Sequence, residues 1–220
     1  MIIAIDGPAG AGKSTISQRL AARLGYVRVD TGALYRAVGL AATWAGRSET
    51  DADLGAFVAG LDLRFAGDAL LLDGQDVSEA IRAPEISRAA SRYAAVPAVR
   101  AALLTLQRRV GAGQNAIFDG RDIGTVVFPE APVKIFLTAS VDARAHRRHA
   151  ELQARGVADS LEAVRADIEA RDRADTERAV SPLRKAQDAV EVDATALSPD
   201  AVVERCIEVV QAQASSQTAR

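Results

Sequence analysis

The chain opens Met1-Ile2-Ile3-Ala4-Ile5-Asp6 and runs at once into Gly7-Pro8-Ala9-Gly10-Ala11-Gly12-Lys13-Ser14. An apolar strand, then G-x-x-x-x-G-K-S, then a helix start constrains the fold more than any other stretch. A polyphosphate needs several backbone N–H groups converging on its oxygens. Glycines let the backbone turn inward with no Cβ in the way. The turn then delivers the phosphates to a helix N-terminus, where unpaired N–H groups and the helix dipole favour anions. In this pattern Lys13 reaches the outer phosphates and the Ser14 hydroxyl is a ligand for Mg²⁺. The segment is therefore read as the phosphate-binding loop of a nucleoside triphosphate protein.

The rest of the chain repeats the strand and helix alternation that such a loop requires. Ile16, Leu20 and Leu24 make one helical stripe, closed by Gly25. A strand Tyr26 to Val29 ends at Asp30-Thr31-Gly32, and a helix carrying Leu34, Tyr35, Val38 and Leu40 runs to about Gly46. Asp51 is expected to cap a third helix. Leu61 to Phe65 then alternates, Ala69 to Leu72 is apolar, and Asp73-Gly74 separates it from Gln75-Asp76-Val77. This predicts a small antiparallel patch inserted between helices. Helices are expected over Pro84 to Ala95 and Pro97 to Val110, each with proline in its first turn. Ala116 to Asp119 and Val133 to Leu137 read as buried parallel strands. Helices over about 141–155 and 160–177, broken by Gly156, lead to a strand Val190 to Val192 and a helix opening at Ser198-Pro199-Asp200. The order predicts an α/β fold of the P-loop type: three layers, with helices on both faces of a central parallel sheet.

Composition narrows the function. The chain has 220 residues, enough for one domain, with 49% hydrophobic residues to build its core. A net charge of −2 and no basic tail speak against a nucleic-acid partner. No run approaches a membrane span, and no charged leader precedes an apolar stretch, so a cytoplasmic protein is expected. Cys206 is the single cysteine and lies on the apolar stripe Val202, Val203, Cys206, Ile207, Val210, where it reads as a core residue. Only Lys13, Lys134 and Lys185 are lysines, so 24 of the 27 basic side chains are arginine, the residue suited to bidentate phosphate contacts.

Three charged clusters say what the loop alone does not. In Asp30-Thr31-Gly32-Ala33-Leu34-Tyr35-Arg36 an arginine follows a strand end, where ligands of open α/β sheets sit. In Asp119-Gly120-Arg121-Asp122-Ile123-Gly124-Thr125, Asp119 ends an apolar strand and is placed to support Mg²⁺, directly or through water. In the third cluster the inward stripe Leu161, Val164, Ile168 continues at the same register as Arg171, Asp175, Arg178. Charges on an inward stripe are costly unless they are paired or face a polar ligand. Together the clusters predict a second anion meeting the triphosphate. Like charges about 4 Å apart repel by roughly 4 kcal/mol at an effective dielectric of ~20, which converging arginines would offset. An acceptor that is already a phosphate needs no strong general base. His146 and His149 indeed lie outside every cluster, in Arg-His-Arg-Arg-His, and read as a solvated face.

The segments IDGPAGAGKST, DTGALYRA, RAASRYAAVPAVR, DGRDIGTVVFP, APVKIFLTAS, RAHRR and the SPL after Arg178 occur in this order. In them the chain resembles the bacterial cytidylate kinases, P-loop nucleoside monophosphate kinases, over nearly its whole length. The resemblance implies transfer of phosphate from ATP to CMP and dCMP with Mg²⁺. ATP would bind to Gly7, Pro8, Ala9, Gly10, Ala11, Gly12, Lys13, Ser14 and Thr15, with Ser14 on the metal. Ser91, Arg100 and Asp122 would read the cytosine. An aspartate accepting from the exocyclic amino group is the right choice for that base. Arg36, Arg121 and Arg178 would bind the acceptor phosphate, Thr31 would contact the acceptor nucleotide, and Arg171 and Asp175 would lie near its ribose and phosphate. Lys13, Arg121, Arg178 and Asp119 would be the catalytic set. Arginines of the 144–155 stretch (Arg144, Arg147, Arg148, Arg155) would form a lid over ATP without individual assignment. Some relatives carry a further arginine where this chain has Ala174. The implied organisation is one domain over 1–213: a core of about 1–37 and 96–213, a monophosphate-binding insert of about 38–95 and a lid region of about 148–178. A disordered tail over 214–220 and a monomeric state are expected.

Two other functions fit the loop. A kinase of the shikimate or gluconate type would share it without needing the 61–77 patch or the Ser91, Arg100, Asp122 set. A nucleotide-gated switch would share it too, yet the N-K-x-D guanine reader of GTPases is absent from the sequence.

Overall fold

The computed structural model describes residues 1–67 and 69–218, with side chains to residue 213. The chain begins with β1 (Ile2–Asp6), α1 (Lys13–Leu24), β2 (Val27–Asp30), α2 (Thr31–Trp44) and α3 (Leu54–Gly60). The short strands β3 (Leu63–Ala66), β4 (Ala69–Leu72) and β5 (Gln75–Asp76) come next, then α4 (Pro84–Tyr93) and α5 (Pro97–Gly111). The second half holds β6 (Ala116–Gly120), β7 (Val133–Thr138), α6 (Val141–Ala154), α7 (Leu161–Glu177), β8 (Val190–Asp193) and α8 (Pro199–Thr218).

Five strands form one parallel sheet in the order β2-β6-β1-β7-β8. The first strand of the chain thus sits at the centre, with Ile3, Ala4 and Ile5 fully buried. That position explains its unbroken apolar run: both faces are covered. Ile3 and Ile5 pack with Ile117, Ile135 and Leu137 against Ile16 and Leu20 of α1 and Val202, Val203 and Cys206 of α8. Ala4 points the other way, into Val29, Phe118, Ile123 and Val127. Helices therefore cover both faces, as the alternation predicts.

The antiparallel patch is present as the sheet β3-β4-β5, with Leu63 opposite Leu72 and Leu71 opposite Asp76. Its apolar side shares a core with Leu34 and Val38 of α2, Ile86 and Ala89 of α4, and Val99 and Leu103 of α5. α2 and α4 approach closely at Gly39, where a Cβ would lie 3.2 Å from the Ala89 Cβ.

Several details differ from the sequence expectation. Asp51 does not cap α3, whose N-cap is Asp53 without a side-chain bond. Both carboxylates are drawn instead to Arg47, which meets Asp53 at 3.0 Å and Asp51 at 3.7 Å. A 3-10 turn at Ala80–Arg82 and a π-helical turn at Ile123–Val127 were not anticipated. Of the expected tail over 214–220, the backbone is helical to Thr218 within α8, and 219–220 lie outside the described residues. Among the described residues no helix is long and apolar enough to cross a membrane.

Candidate active site

The loop between β1 and α1 has the geometry its glycines demand. Gly7 has φ 152°, and a Cβ there would stand 2.0 Å from the Leu137 carbonyl oxygen, so no other residue fits. Gly12 caps α1 in the left-handed region, φ 94°, with no side-chain cap. The first N–H groups of α1 are thus left for an outside acceptor. Lys13 is buried, and its Nζ donates to the carbonyls of Gly7 and Pro8, each at 2.7 Å. Burial, and then the Arg121 charge, push its ammonium well below the ordinary lysine range, against the pull of Asp119, Asp175 and Asp6. Ser14 and Thr15 are exposed on the first turn of α1.

The parallel register brings the ends of β1, β2 and β6 together, with Asp6 opposite Gly120 and Asp30 opposite Asp119. Asp119 is buried, accepts from the Ser17 hydroxyl at 2.5 Å, and meets Arg28 Nε at 3.2 Å. Burial, then the Asp30 charge, raise its pKa, with Arg28 opposing. The Thr31 hydroxyl donates to the Asp119 carbonyl at 2.8 Å. Asp30 caps α2 by accepting from Ala33 N and holds Arg36 at 3.0 Å. Burial works against its charge, but Arg36 and Arg28 keep its carboxyl below the usual range.

Beyond β6 the charges interlock. Arg100 of α5 and Asp122 form a buried ion pair. Arg178 stands 3.7 Å from Asp122 and 3.5 Å from Asp175, and its Nε donates to the Ser181 carbonyl at 2.7 Å. Arg121 Nε donates to Asp175 at 2.7 Å. Arg171, Asp175 and Arg178 do continue the buried stripe of Val164 and Ile168, although α7 ends at Glu177 and Arg178 is already extended. Burial lowers the pKa of both Arg171 and Arg178; neighbouring Arg121 adds to this at Arg171 and Arg100 at Arg178. Among the described residues four buried guanidinium nitrogens have no hydrogen-bond partner: Arg36 Nε, Arg100 Nε, Arg171 Nε and Arg178 Nη2. Buried donors left open cost free energy unless a ligand completes them. All four belong to residues singled out from the sequence. Ser91 stands apart: its hydroxyl turns back to the Ser87 carbonyl at 3.4 Å.

Other participants were missed or, like Arg144, left without an individual role. The Tyr35 ring lies under the Arg100 guanidinium, 5.3 Å from centroid to Cζ. Burial raises the pKa of its phenol, which hydrogen-bonds with Gln107. Arg28 bridges Ser17, Asp119 and Asp30. Arg144 of α6 is buried and donates to the Ala9 carbonyl of the loop and the Ala139 carbonyl, each at 2.9 Å, while pairing with Asp172 of α7 at 2.6 Å. Asp6 accepts from the N–H groups of Ile123 and Gly124. The only sequence signal for Asp6 was a carboxylate ending an apolar strand.

Among the described residues no three His, Cys, Asp or Glu side chains gather to hold a metal by themselves. The donor set, an exposed Ser14 hydroxyl with Asp119 one strand away, fits a cation that arrives with phosphate oxygens.

The sequence comparisons with known proteins agree with one another. The cytidylate kinase family model matches residues 3–212. The cytidylate kinase of Syntrophotalea carbinolica is 51% identical over 215 residues, covering 96% of this chain and 92% of that one. That of Methylococcus capsulatus is 48% identical over 214 residues, covering 96% of each. Among solved structures, a gluconokinase from Sinorhizobium meliloti covers 98% of this chain and 94% of its own at a TM-score of 0.51 with 15% identity, a likeness of fold alone. A match over nearly the whole length, on a parallel sheet that carries a phosphate loop and an arginine-lined second site, means that the chain belongs to the cytidylate kinase family.

Proposed function

We propose that this chain phosphorylates CMP and dCMP to CDP and dCDP with ATP, a step of pyrimidine nucleotide metabolism. One observation carries the reading: open guanidinium nitrogens remain on Arg36, Arg100, Arg171 and Arg178, and two of these arginines, Arg100 and Arg178, face a buried Asp122.

The loop Gly7–Thr15 holds the triphosphate, its N–H groups and the uncapped start of α1 facing the oxygens. Lys13 leaves the Gly7 and Pro8 carbonyls for the phosphates. Ser14 and Asp119 would hold Mg²⁺, which when bound would neutralise phosphate charge. Thr31 contacts the acceptor nucleotide, while Arg36, Arg121 and Arg178 take its phosphate. Arg171 and Asp175 orient its ribose. The base lies against Ser91, Arg100 and Asp122. Asp122 is pinned by Arg100 on Oδ2, and its Oδ1 has no closer partner than Arg178 at 3.7 Å. That oxygen accepts the cytosine amino group, where uracil would set carbonyl against carboxylate. An acceptor phosphate oxygen then attacks the γ-phosphorus in line as ADP leaves. The arginines stabilise charge on the transferring group, and no general base is required.

Within this reading about 1–37 and 96–213 form the core, about 38–95 the monophosphate-binding insert and about 148–178 the lid, in a cytoplasmic monomer. A coupled assay over CMP, dCMP, UMP and AMP tests it. CMP and dCMP are expected to turn over fastest. ATP binding without transfer to any monophosphate would overturn the assignment.

A further inference from the structure

Asp122 holds the N-cap position of the π-helical turn Ile123–Val127, and aspartate is among the best capping residues. It nevertheless makes no capping bond: its backbone sits at φ −144°, ψ 26°, and its carboxylate faces Arg100 and Arg178. The cap comes from elsewhere. Asp6, the last residue of β1, lies 117 positions earlier and accepts from Ile123 N with Oδ1 at 2.8 Å. Its Oδ2 accepts from Gly124 N, also at 2.8 Å. Both oxygens of a carboxylate 5% exposed are thus spent on the first two N–H groups of the turn, the second of which, Gly124 N, is one that an N-cap side chain takes.

We infer that Asp6 is a positioning residue for acceptor choice: by capping the turn in place of Asp122, it frees the Asp122 carboxylate to read the base. The inference rests on the assignment of Asp122 to the acceptor base. It also gives the strand before the phosphate loop a task in the opposite half of the site. Without Asp6, two buried N–H groups lose this acceptor, and the Asp122 side chain, at the N-cap, is placed by sequence to take Gly124 N. A carboxylate turned back onto its own turn leaves Arg100 and the base.

The test is steady-state kinetics of Asp6→Asn, a near-isosteric change that leaves one acceptor and sets an amide N–H against the other donor. KM for CMP is expected to rise about 10-fold or more, and the preference for CMP over UMP to shrink by a similar factor, with KM for ATP within about threefold of wild type. In an Asp122→Asn background the same substitution should change that preference less than about twofold, because both act through one carboxylate. An unchanged preference, additive effects in the double variant, or KM for ATP rising as much as KM for CMP would overturn the inference. Asp6→Ser, which keeps one acceptor in a smaller side chain, carries the same readouts should Asp6→Asn fail to fold. A wild-type enzyme with no preference for CMP would strike the proposed function instead. Amide exchange at Ile123 and Gly124 then decides the capping: about 10-fold faster exchange in the variant upholds it, and unchanged exchange removes it.

Discussion

In the proposed assignment the two halves of the site meet the same problem, holding a multiply charged anion, in opposite ways. The donor half is local. Its loop, its lysine and its helix start lie within residues 7–15, and Lys13 donates to the Gly7 and Pro8 carbonyls of the same loop. The acceptor half is distributed. It draws Arg36 from α2, Arg100 from α5, Arg121 and Asp122 from the turn after β6, and Arg171, Asp175 and Arg178 from α7 and its end. There the charges pair across elements, and four guanidinium nitrogens stay open. A short loop can fold back on its own carbonyls, whereas arginines anchored on separate helices cannot follow one another. On the proposed assignment these open donors are what the acceptor would complete, so its affinity would be prepared in the fold.

This contrast can be broken experimentally, most severely at Lys13. Lys13→Ala should cost about a thousandfold or more in kcat while the melting temperature and CMP affinity by calorimetry stay near wild type. Near-normal turnover would end the donor assignment. Asp122→Asn should lower kcat/KM for CMP about 100-fold and erode discrimination against UMP, with ATP binding preserved. Equal losses for both nucleotides would mean that the two halves are one unit. Arg178→Met should sharpen the contrast. It removes a buried cation beside Arg100, so the ligand-free melting temperature should stay within about 3 °C, while the stabilisation by CMP largely disappears. The smallest effect concerns pH. Burial, aided by the Asp122 charge and opposed by two N–H groups and Lys13, raises Asp6 to about 6 from 3.8. The folded state therefore takes up this proton before the unfolded chain does. Wild-type stability relative to Asp6→Asn should rise as pH falls from about 6 toward 4, by at most about 1.4 kcal/mol per pH unit, and be level above 7. Paired denaturation curves across that window would show a slope of the opposite sign if the carboxylate were stabilised by its surroundings.

The same division explains what was legible. Residues 1–14 carried their meaning within one strand and one turn, and the buried strands announced themselves as short apolar runs. The stripe through Val164, Ile168, Arg171 and Asp175 was readable because helical period ties charge to a buried face. Ser91, Arg100 and Asp122 came from family likeness, since nothing in their local pattern pairs α4, α5 and the turn after β6. Arg28 and Asp6 were invisible, and Arg144 stayed unassigned among the lid arginines, for a related reason. Their partners Asp119, Ala9 and Ile123 lie 91, 135 and 117 positions away, so only the parallel sheet brings them together. The π-helical turn was hidden because Ile123-Gly124-Thr125-Val126-Val127 is rich in β-branched residues, which favour strands by propensity.

The close approach at Gly39 sets a measure on the acceptor side. α2 carries Tyr35 and Arg36, α4 carries Ser91, and the two helices meet where Gly39 leaves room only for a hydrogen beside Ala89 and Ala90. A glycine that never touches a nucleotide therefore acts as a spacer for the pocket's width. A methyl group at this position would wedge the walls apart from behind. A few tenths of an ångström is the adjustment that such a methyl group would ask of Ala89 and Ala90.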